Sequence, residues 1–137
     1  MYRVGIIGFG ERITGVAKQA QVIDPDFKIV AVCDPYYEAS LERSKTFETG
    51  VPDITGTNFY RDIEEMLSSE KLDGVMIGTR CPMHTPYAIR IMQENIPFFL
   101  EKPVGVDAKQ LAVLEAARLK YNPKVVVSFP LRSCYIV

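Results

Sequence analysis

The sequence predicts a doubly wound α/β domain, in which helices cover both faces of a mostly parallel β-sheet. Short apolar runs alternate along the chain with stretches that have helical spacing or polar character. The first run, residues 2–8, is almost continuously apolar, as parallel strands are when both faces are buried. Repeated alternation of strand and helix favours a parallel sheet built from βαβ units.

The start of the chain contains one complete βαβ unit. The strand at residues 2–8 is followed by apolar residues at helical spacing that end at Ile23. Asp24-Pro25 ends this helix, because the residue before a proline avoids helical dihedral angles. Residues 27–33 then form the second strand of the unit.

Capping residues predict where later helices begin. Asp62 is a candidate N-cap, and Thr85 precedes a proline suited to the first helical position. Asp107 forms a capping-box pattern with Gln110, and Asn122-Pro123 ends that helix. The later elements are a helix over 37–48, a loop over 50–58, a strand stub at 59–60, a helix over 62–67, a strand over 72–79, a helix from 85, a strand over 97–100, a helix over 107–121 and a strand over 125–129.

The composition is that of an ordinary globular domain. The 137 residues carry 16 Lys and Arg against 17 Asp and Glu, a formal charge of −1, and 47% are apolar. This length suits one domain with a sizeable core. The balanced charge gives no reason to expect a nucleic acid as a partner, and no apolar run approaches the roughly 20 residues of a membrane span.

The three cysteines, Cys33, Cys81 and Cys134, are far apart in the sequence. Their spacing is not that of a zinc site, so we predict no metal site. An odd number of isolated cysteines is typical of thiols in a reducing compartment, which predicts a cytoplasmic protein.

The loop after the first strand carries the first candidate site, because ligands of this fold class bind beyond the carboxyl ends of the strands. It reads Gly8-Phe9-Gly10-Glu11-Arg12-Ile13. Two glycines allow a tight turn and a close approach to a pyrophosphate, which the N-terminus of the next helix would bind. Ile13 stands where a third glycine would permit close helix packing, so we expect looser packing there. The alternative is a tight turn without a ligand.

Asp34 stands at the end of the second predicted strand, 24 positions after Gly10 (34 − 10). An acidic residue at this distance accepts hydrogen bonds from an adenosine ribose and repels a 2′-phosphate, so it favours NAD over NADP. NADP is not excluded, because Arg80 or Lys45 could reach a phosphate. The alternative is that Asp34 only makes a turn.

Two further loops carry polar groups at strand ends. The loop after the fourth predicted strand contains His84, the only histidine, which could be an acid/base group, a cofactor contact or a structural strut. Glu101-Lys102-Pro103 follows the fifth predicted strand. There we expect a partly desolvated lysine beside a carboxylate, able to hydrogen-bond a substrate hydroxyl or relay its proton. The alternative is a surface ion pair.

In this order, Gly8-Phe9-Gly10, Cys33-Asp34-Pro35, Thr79 with His84, and Glu101-Lys102-Pro103 resemble the nucleotide-binding domain of the glucose–fructose oxidoreductase/inositol dehydrogenase (Gfo/Idh/MocA) family. The resemblance covers essentially the whole chain. It implies a Rossmann fold within a two-domain, NAD(P)-dependent enzyme that acts on sugars, cyclitols or polyols.

The resemblance also implies roles for single residues. Lys102 would lie near the nicotinamide and the reacting hydroxyl, as the catalytic residue, while Glu101 and His84 would belong to the cofactor pocket. Thr79 and Arg80 would line the adenosine and pyrophosphate side, although the family usually has proline at the position of Arg80. Arg132, after the sixth predicted strand, loosely resembles an arginine that is often found at this place in the family.

The resemblance finally predicts how the chain is organised. Residues 1–130 would form the dinucleotide-binding domain, and residues 131–137 would begin the connection to a substrate domain. We expect the isolated chain to bind NAD(H) without efficient turnover. Its apolar ending predicts a bare surface and a homo-oligomer. The alternatives are a short Rossmann protein that binds or senses a nucleotide, and one that has lost its site.

Overall fold

The computed structural model describes residues 1–133 as a six-stranded, fully parallel sheet with the order β3-β2-β1-β4-β5-β6. This order confirms the predicted doubly wound class. The strands are β1 (Tyr2–Ile7), β2 (Phe27–Cys33), β3 (Asn58–Tyr60), β4 (Gly74–Ile77), β5 (Phe98–Leu100) and β6 (Val125–Val127). The helices are α1 (Glu11–Ile23), α2 (Tyr37–Ser44), α3 (Ile63–Ser69), α4 (His84–Gln93) and α5 (Ala108–Tyr121), with short 3₁₀ helices at Cys81–Met83 and Pro130–Ser133.

The core lies on both faces of the sheet, which explains the almost continuous apolar runs. In β1, Ile6 belongs to one buried cluster and Ile7 to the other, because successive side chains of a strand point to opposite faces. Ile13 and Ala17 of α1 pack in the cluster of Ile6, and Ile91 of α4 packs in the cluster of Ile7. The strand order reverses between β1 and β4, so the loops after these strands meet at the switch point where such folds bind ligands.

The structure confirms the predicted helix caps at Asp62, Asp107 and Asn122. The Asp62 carboxylate accepts hydrogen bonds from the amides of Glu64 and Glu65, and the Asp107 carboxylate accepts one from the amide of Gln110. Asn122 ends α5 in the left-handed conformation, with φ of 45°. These bonds satisfy backbone groups that have no partner inside a helix.

The predicted start of α4 at Thr85 was wrong. With Thr85 as N-cap, Pro86 would be the first helical residue, but the helix begins two residues before it, at His84, after the 3₁₀ helix Cys81–Met83. The Thr85 hydroxyl does not cap the helix; it donates to the carbonyl oxygen of Val104, 2.7 Å away, in the loop after β5. Tertiary contact therefore overrides the local capping pattern.

Several predicted boundaries were too long. The helix predicted over 37–48 ends at Ser44, because the amides of Lys45 and Thr46 bond back to carbonyls three residues earlier in turns. The strand predicted over 72–79 covers only Gly74–Ile77.

The 3₁₀ helix Pro130–Ser133 occupies the start of the predicted connection at 131–137. Cys134 and the apolar ending at 135–137 lie outside the described residues.

The expectation of loose packing around Ile13 was also wrong. Ile13 is completely buried, and it packs against Gly78 at the end of β4. A Cβ atom on Gly78 would lie 2.4 Å from the Cβ of Ile13, far inside contact distance. The glycine that lets α1 approach the sheet therefore lies directly after the neighbouring strand β4.

Glu70 fastens the end of α3 to two strands. Its side chain is only 6% exposed and accepts hydrogen bonds from Arg3, Asn58 and the Tyr60 hydroxyl, at 2.8, 2.7 and 2.7 Å. Burial tends to raise the pKa of Glu70, but the hydrogen bonds from Asn58 and Tyr60 and the charge of Arg3 outweigh it, and the pKa lies below its ordinary value.

We expect Glu70→Gln to lower the free energy of unfolding at pH 7 by about 1–2 kcal/mol, because Arg3 loses its anionic partner. A carboxylate whose pKa is lowered by folding stabilises the fold above its unfolded pKa, and that stability is lost as the pH falls through the folded pKa. The variant should therefore lose less stability than the wild type between pH 6 and acid conditions. Urea unfolding across this range measures the difference.

Glu48→Gln is the matched control, because it makes the same charge change at an exposed residue whose carboxylate has no partner among residues 1–133. Equal acid sensitivity in the Glu70→Gln variant and the wild type would contradict the assignment.

Candidate cofactor site

Gly8 makes the sharp turn that follows β1. Its φ is +87°, which L side chains rarely adopt, and a Cβ atom there would lie 2.7 Å from the carbonyl oxygen of Gly78. The amide of Gly8 donates to the carbonyl of Cys33, 2.8 Å away. The fold itself therefore requires glycine at this position.

Gly10 differs, because nothing in the fold requires it. It is the N-cap of α1, with φ of −90° and ψ of 163°, a conformation open to any residue. Apart from its two chain neighbours, a Cβ atom there would meet only the carbonyl oxygen of Gly78, at 4.0 Å, among the residues described. Within residues 1–133, no side chain caps this end of α1. Gly10 thus leaves an open approach to a helix N-terminus, where unpaired N–H groups and the helix dipole favour an anion.

Asp34 sits directly against the glycine loop. One carboxylate oxygen accepts hydrogen bonds from the amide of Phe9, at 3.2 Å, and from the Ser40 hydroxyl, at 2.9 Å. The other oxygen accepts from the amide of Tyr36, at 2.8 Å, so Asp34 also makes the turn that was its alternative role. A carboxylate offers roughly four acceptor positions, so one remains beyond the three bonds that Asp34, which is 9% exposed, makes within residues 1–133.

Cys33 carries no nucleophilic chemistry. It is buried at the end of β2, and burial, helped by the nearby charges of Asp62, Asp34 and Glu65, raises the pKa of its thiol to about 12. At neutral pH the group remains a protonated thiol, which is neither a good nucleophile nor a metal ligand.

Thr79 and Arg80 follow β4 beside the glycine loop. A Cβ on Gly8 would touch the Cα of Thr79 at 2.9 Å, so the two loops are in close contact. The Thr79 hydroxyl donates to the carbonyl of Arg80, 3.2 Å away. The Arg80 guanidinium is exposed and has no partner among residues 1–133, so it is available to an anion.

His84 is enclosed between two loops and is only 2% exposed. Its Nδ1 lies 2.7 Å from the carbonyl oxygen of Pro103, and its Nε2 lies 3.0 Å from that of Thr79. Both ring nitrogens therefore face backbone carbonyls, and neither is open to a substrate. In this arrangement the ring links the loop after β4 to the loop after β5, as a strut does.

Glu101 and Lys102 separate at the end of β5, since successive side chains of an extended chain point in opposite directions. Glu101 is 5% exposed, and its carboxylate pairs with Nε of Arg12, 3.2 Å away. Neither interpretation of this pair holds: Lys102 is exposed rather than partly desolvated, and its ammonium forms no ion pair in the described part of the chain. The ion pair between Glu101 and Arg12 instead links the loop of Lys102 to α1.

The structure brings most of the predicted residues together at the carboxyl edge of the sheet. Phe9 meets Asp34, Arg12 meets Glu101, and His84 spans Thr79 and Pro103. The Glu11 carboxylate turns away to the amide of Glu48, 2.8 Å distant. Two other basic side chains named in the sequence analysis have partners of their own. Lys45 pairs with Glu42, and the guanidinium carbon of Arg132 lies 4.7 Å from the centre of the Phe129 ring.

Residues 1–133 contain no group of three His, Cys, Asp or Glu side chains placed to hold a metal ion. Among the helices described, none has the length and apolar character needed to cross a membrane.

Sequence reasoning missed Gly78, which faces both Gly8 and Ile13. The available signal was a glycine at the end of a strand that neighbours the glycine loop. The parallel strand order, the turn at Gly8, the open N-terminus of α1 and Asp34 together define a dinucleotide-binding Rossmann domain.

The chain belongs to an oxidoreductase family with an NAD-binding Rossmann fold, Gfo/Idh/MocA, whose family model matches residues 2–129. Relatives include inositol 2-dehydrogenase 4 of Saccharopolyspora erythraea, 30% identical over 83% of this chain and 32% of that protein. A glycosyl hydrolase family 109 protein of Shewanella pealeana is 32% identical over 79% of this chain and 24% of that protein. The predicted family and its NAD-binding domain are thereby confirmed.

Solved structures confirm the fold. A myo-inositol dehydrogenase from Corynebacterium glutamicum has a TM-score of 0.76 at 23% identity and covers 96% of this chain and 37% of its own. The WlbA dehydrogenase from Bordetella pertussis, in complex with NADH and UDP-GlcNAcA, has a TM-score of 0.73 at 22% identity and covers 93% and 36%. The chain therefore spans about a third of the length of such relatives.

Proposed function

We propose that this chain is the cofactor-binding part of a dehydrogenase that moves a hydride between NAD and a hydroxyl-bearing carbon of a sugar, cyclitol or polyol. The observation that carries the proposal is the open face at Gly10. This glycine is not needed by the fold, and it lies at an uncapped helix N-terminus beside the carboxylate of Asp34. Such a place suits the pyrophosphate and ribose of a dinucleotide.

The residues present fit NAD. The backbone of Gly10, Glu11 and Arg12 would hold the pyrophosphate at the start of α1, and Asp34 would accept hydrogen bonds from the adenosine ribose. Thr79 and Arg80 would line the same side. Negative charge at Asp34 disfavours a 2′-phosphate, and Lys45, engaged with Glu42, does not offset it. We therefore favour NAD over NADP.

When bound, NAD supplies the acceptor or donor of the hydride. Lys102 would act as the catalytic residue by hydrogen-bonding the substrate hydroxyl, since its exposed ammonium has no partner among the residues described. His84 and Glu101 would shape the pocket through the bonds they make to neighbouring loops and to Arg12.

The chain spans about a third of its relatives' length, so we propose that substrate contacts and a second acid/base group lie in other parts of the enzyme. Residues 1–130 would be the cofactor domain, with 131–137 leading out of it. By itself the chain should bind NAD and lack efficient turnover. We further propose a homo-oligomer in the cytoplasm, where the free thiols of Cys33 and Cys81 would remain reduced.

Calorimetric titration of the 137-residue chain with NAD tests the proposal directly. We expect saturable binding with one site and weaker binding of NADP. Absence of binding at millimolar NAD by a folded chain would refute the proposal. Robust dehydrogenase activity of this chain alone would refute the assignment of substrate contacts to other parts of the enzyme.

Asp34→Asn should reduce the preference for NAD over NADP by about tenfold, because it removes the charge that repels the 2′-phosphate. Affinities for both cofactors, measured by calorimetry, give the ratio, and thermal unfolding shows whether the turn at Asp34 is retained. Asp26→Asn makes the same charge change just before β2, at the opposite end of that strand. An unchanged ratio in the Asp34 variant would place the ribose elsewhere.

A further inference from the structure

The loop that carries Lys102 is fixed through its backbone. Before the lysine, the amide of Glu101 donates to the carbonyl of Ile77, 2.9 Å away. After it, the Pro103 carbonyl meets Nδ1 of His84 at 2.7 Å, and the Val104 carbonyl accepts from the Thr85 hydroxyl at 2.7 Å. The lysine ammonium itself has no partner in residues 1–133.

Gln110, in the first turn of α5, completes this arrangement with both ends of its side-chain amide. Its Oε1 accepts from the amide of Val106, at 3.1 Å, near the end of the Lys102 loop. Its Nε2 donates to the carbonyl of Pro82, at 2.9 Å, in the 3₁₀ helix after β4. The backbone N–H and the carbonyl oxygen fix which end of the amide is which.

Gln110 therefore holds the 3₁₀ helix of the Arg80 loop against the downstream half of the Lys102 loop, in addition to the link that His84 makes between Thr79 and Pro103. The Thr85 hydroxyl lies 3.2 Å from the same Oε1, but its single proton is directed to the closer carbonyl of Val104. Thr85 and Gln110 thus support neighbouring points of one loop, from α4 and α5 respectively.

We propose that Gln110 is a positioning residue that fixes the loop of Lys102 relative to the loop of Thr79 and Arg80, so that one bound NAD can contact both. This inference rests on the proposed NAD site. Gln110 does not touch the cofactor or the substrate; it acts through the backbone atoms of Val106 and Pro82. Helix capping alone does not require the bond to Pro82, because the backbone N–H of Val106, which directly precedes the N-cap Asp107, needs only the acceptor oxygen of Gln110.

Gln110→Glu separates the two roles. A glutamate at this position keeps the acceptor oxygen, is as good as glutamine in a capping box, and interacts favourably with the N-terminus of α5. A carboxylate has no proton to donate to Pro82. The substitution should therefore leave the melting temperature within about 2 °C of the wild type while it releases the 3₁₀ helix from α5.

The test uses NAD calorimetry and NMR of the full chain after reductive ¹³C-methylation of lysines, with the Lys102 signal identified by Lys102→Arg. In the wild type, NAD should shift the Lys102 signal. In Gln110→Glu, we expect about a three- to tenfold loss of NAD affinity and a smaller Lys102 shift at saturation. Gln19→Glu, the same change at an exposed residue of α1, should behave as the wild type.

Each other outcome has one meaning. Failure of the wild type to bind NAD would refute the proposed function rather than this inference. NAD binding with equal affinity and an equal Lys102 shift in Gln110→Glu would overturn the positioning role. A loss of affinity that follows a loss of melting temperature, with an unchanged Lys102 shift at saturation, would also overturn it and leave Gln110 as a helix cap.

Discussion

Gly10→Ala is expected to weaken NAD binding by at least about tenfold while the free energy of unfolding changes by less than about 1 kcal/mol. Apart from its two chain neighbours, no atom of residues 1–133 lies closer than 4.0 Å to the added methyl group, so the fold accommodates it. It would occupy the open face at the start of α1, where a pyrophosphate must approach the backbone. Calorimetry for affinity and urea unfolding for stability measure the two effects.

Gly8→Ala should show the opposite balance. It places a side chain at φ of +87° and a Cβ atom 2.7 Å from the carbonyl oxygen of Gly78, so we expect a loss of about 3 kcal/mol or more in stability. The pair separates a glycine required by the fold from a glycine required by the ligand. Unchanged NAD affinity in a folded Gly10→Ala variant would place the cofactor away from α1.

Gly78→Ala is expected to cost about 3 kcal/mol of stability, because its Cβ would lie 2.4 Å from the Cβ of completely buried Ile13. Relief requires removal of that Cβ atom. The double variant Ile13→Gly with Gly78→Ala should therefore be more stable than the sum of its single variants predicts, by about 1 kcal/mol or more.

Ile13→Ala is the matched comparison for this cycle, since alanine retains the Cβ atom at position 13. Combined with Gly78→Ala, it should give much less relief than glycine does. Urea unfolding of the single and double variants supplies the coupling free energies. Additive effects in the glycine cycle would show that the Cβ atom introduced by Gly78→Ala does not clash with the Cβ atom of Ile13.

Local patterns made much of this protein predictable. Apolar runs identified the strands, while Asp62, Asp107 and Asn122 marked helix ends through bonds to residues two to four positions away. The glycine loop and Asp34 could be found because each follows a strand whose carboxyl end faces the site.

Contacts between distant residues could not be predicted in this way. Ile13 and Gly78 stand 65 positions apart (78 − 13). From the glycine loop alone, isoleucine at position 13 suggested loose packing of α1, because the contact with Gly78 could not be seen in the local sequence. Arg12 and Glu101 are 89 positions apart, and their pairing decides that Glu101 does not neutralise Lys102. Likewise, the capping pattern at Thr85 gave no sign that its hydroxyl serves the loop after β5.

The free ammonium of Lys102 has a consequence for the thermodynamics of binding. Its backbone is anchored on both sides, yet its side chain has no partner among residues 1–133 and retains the rotamer freedom of a surface lysine. Ordering such a side chain costs up to about 2 kcal/mol of conformational entropy. This cost arises only when a ligand fixes the ammonium, so it lowers the affinity for that ligand and leaves the stability of the fold unchanged.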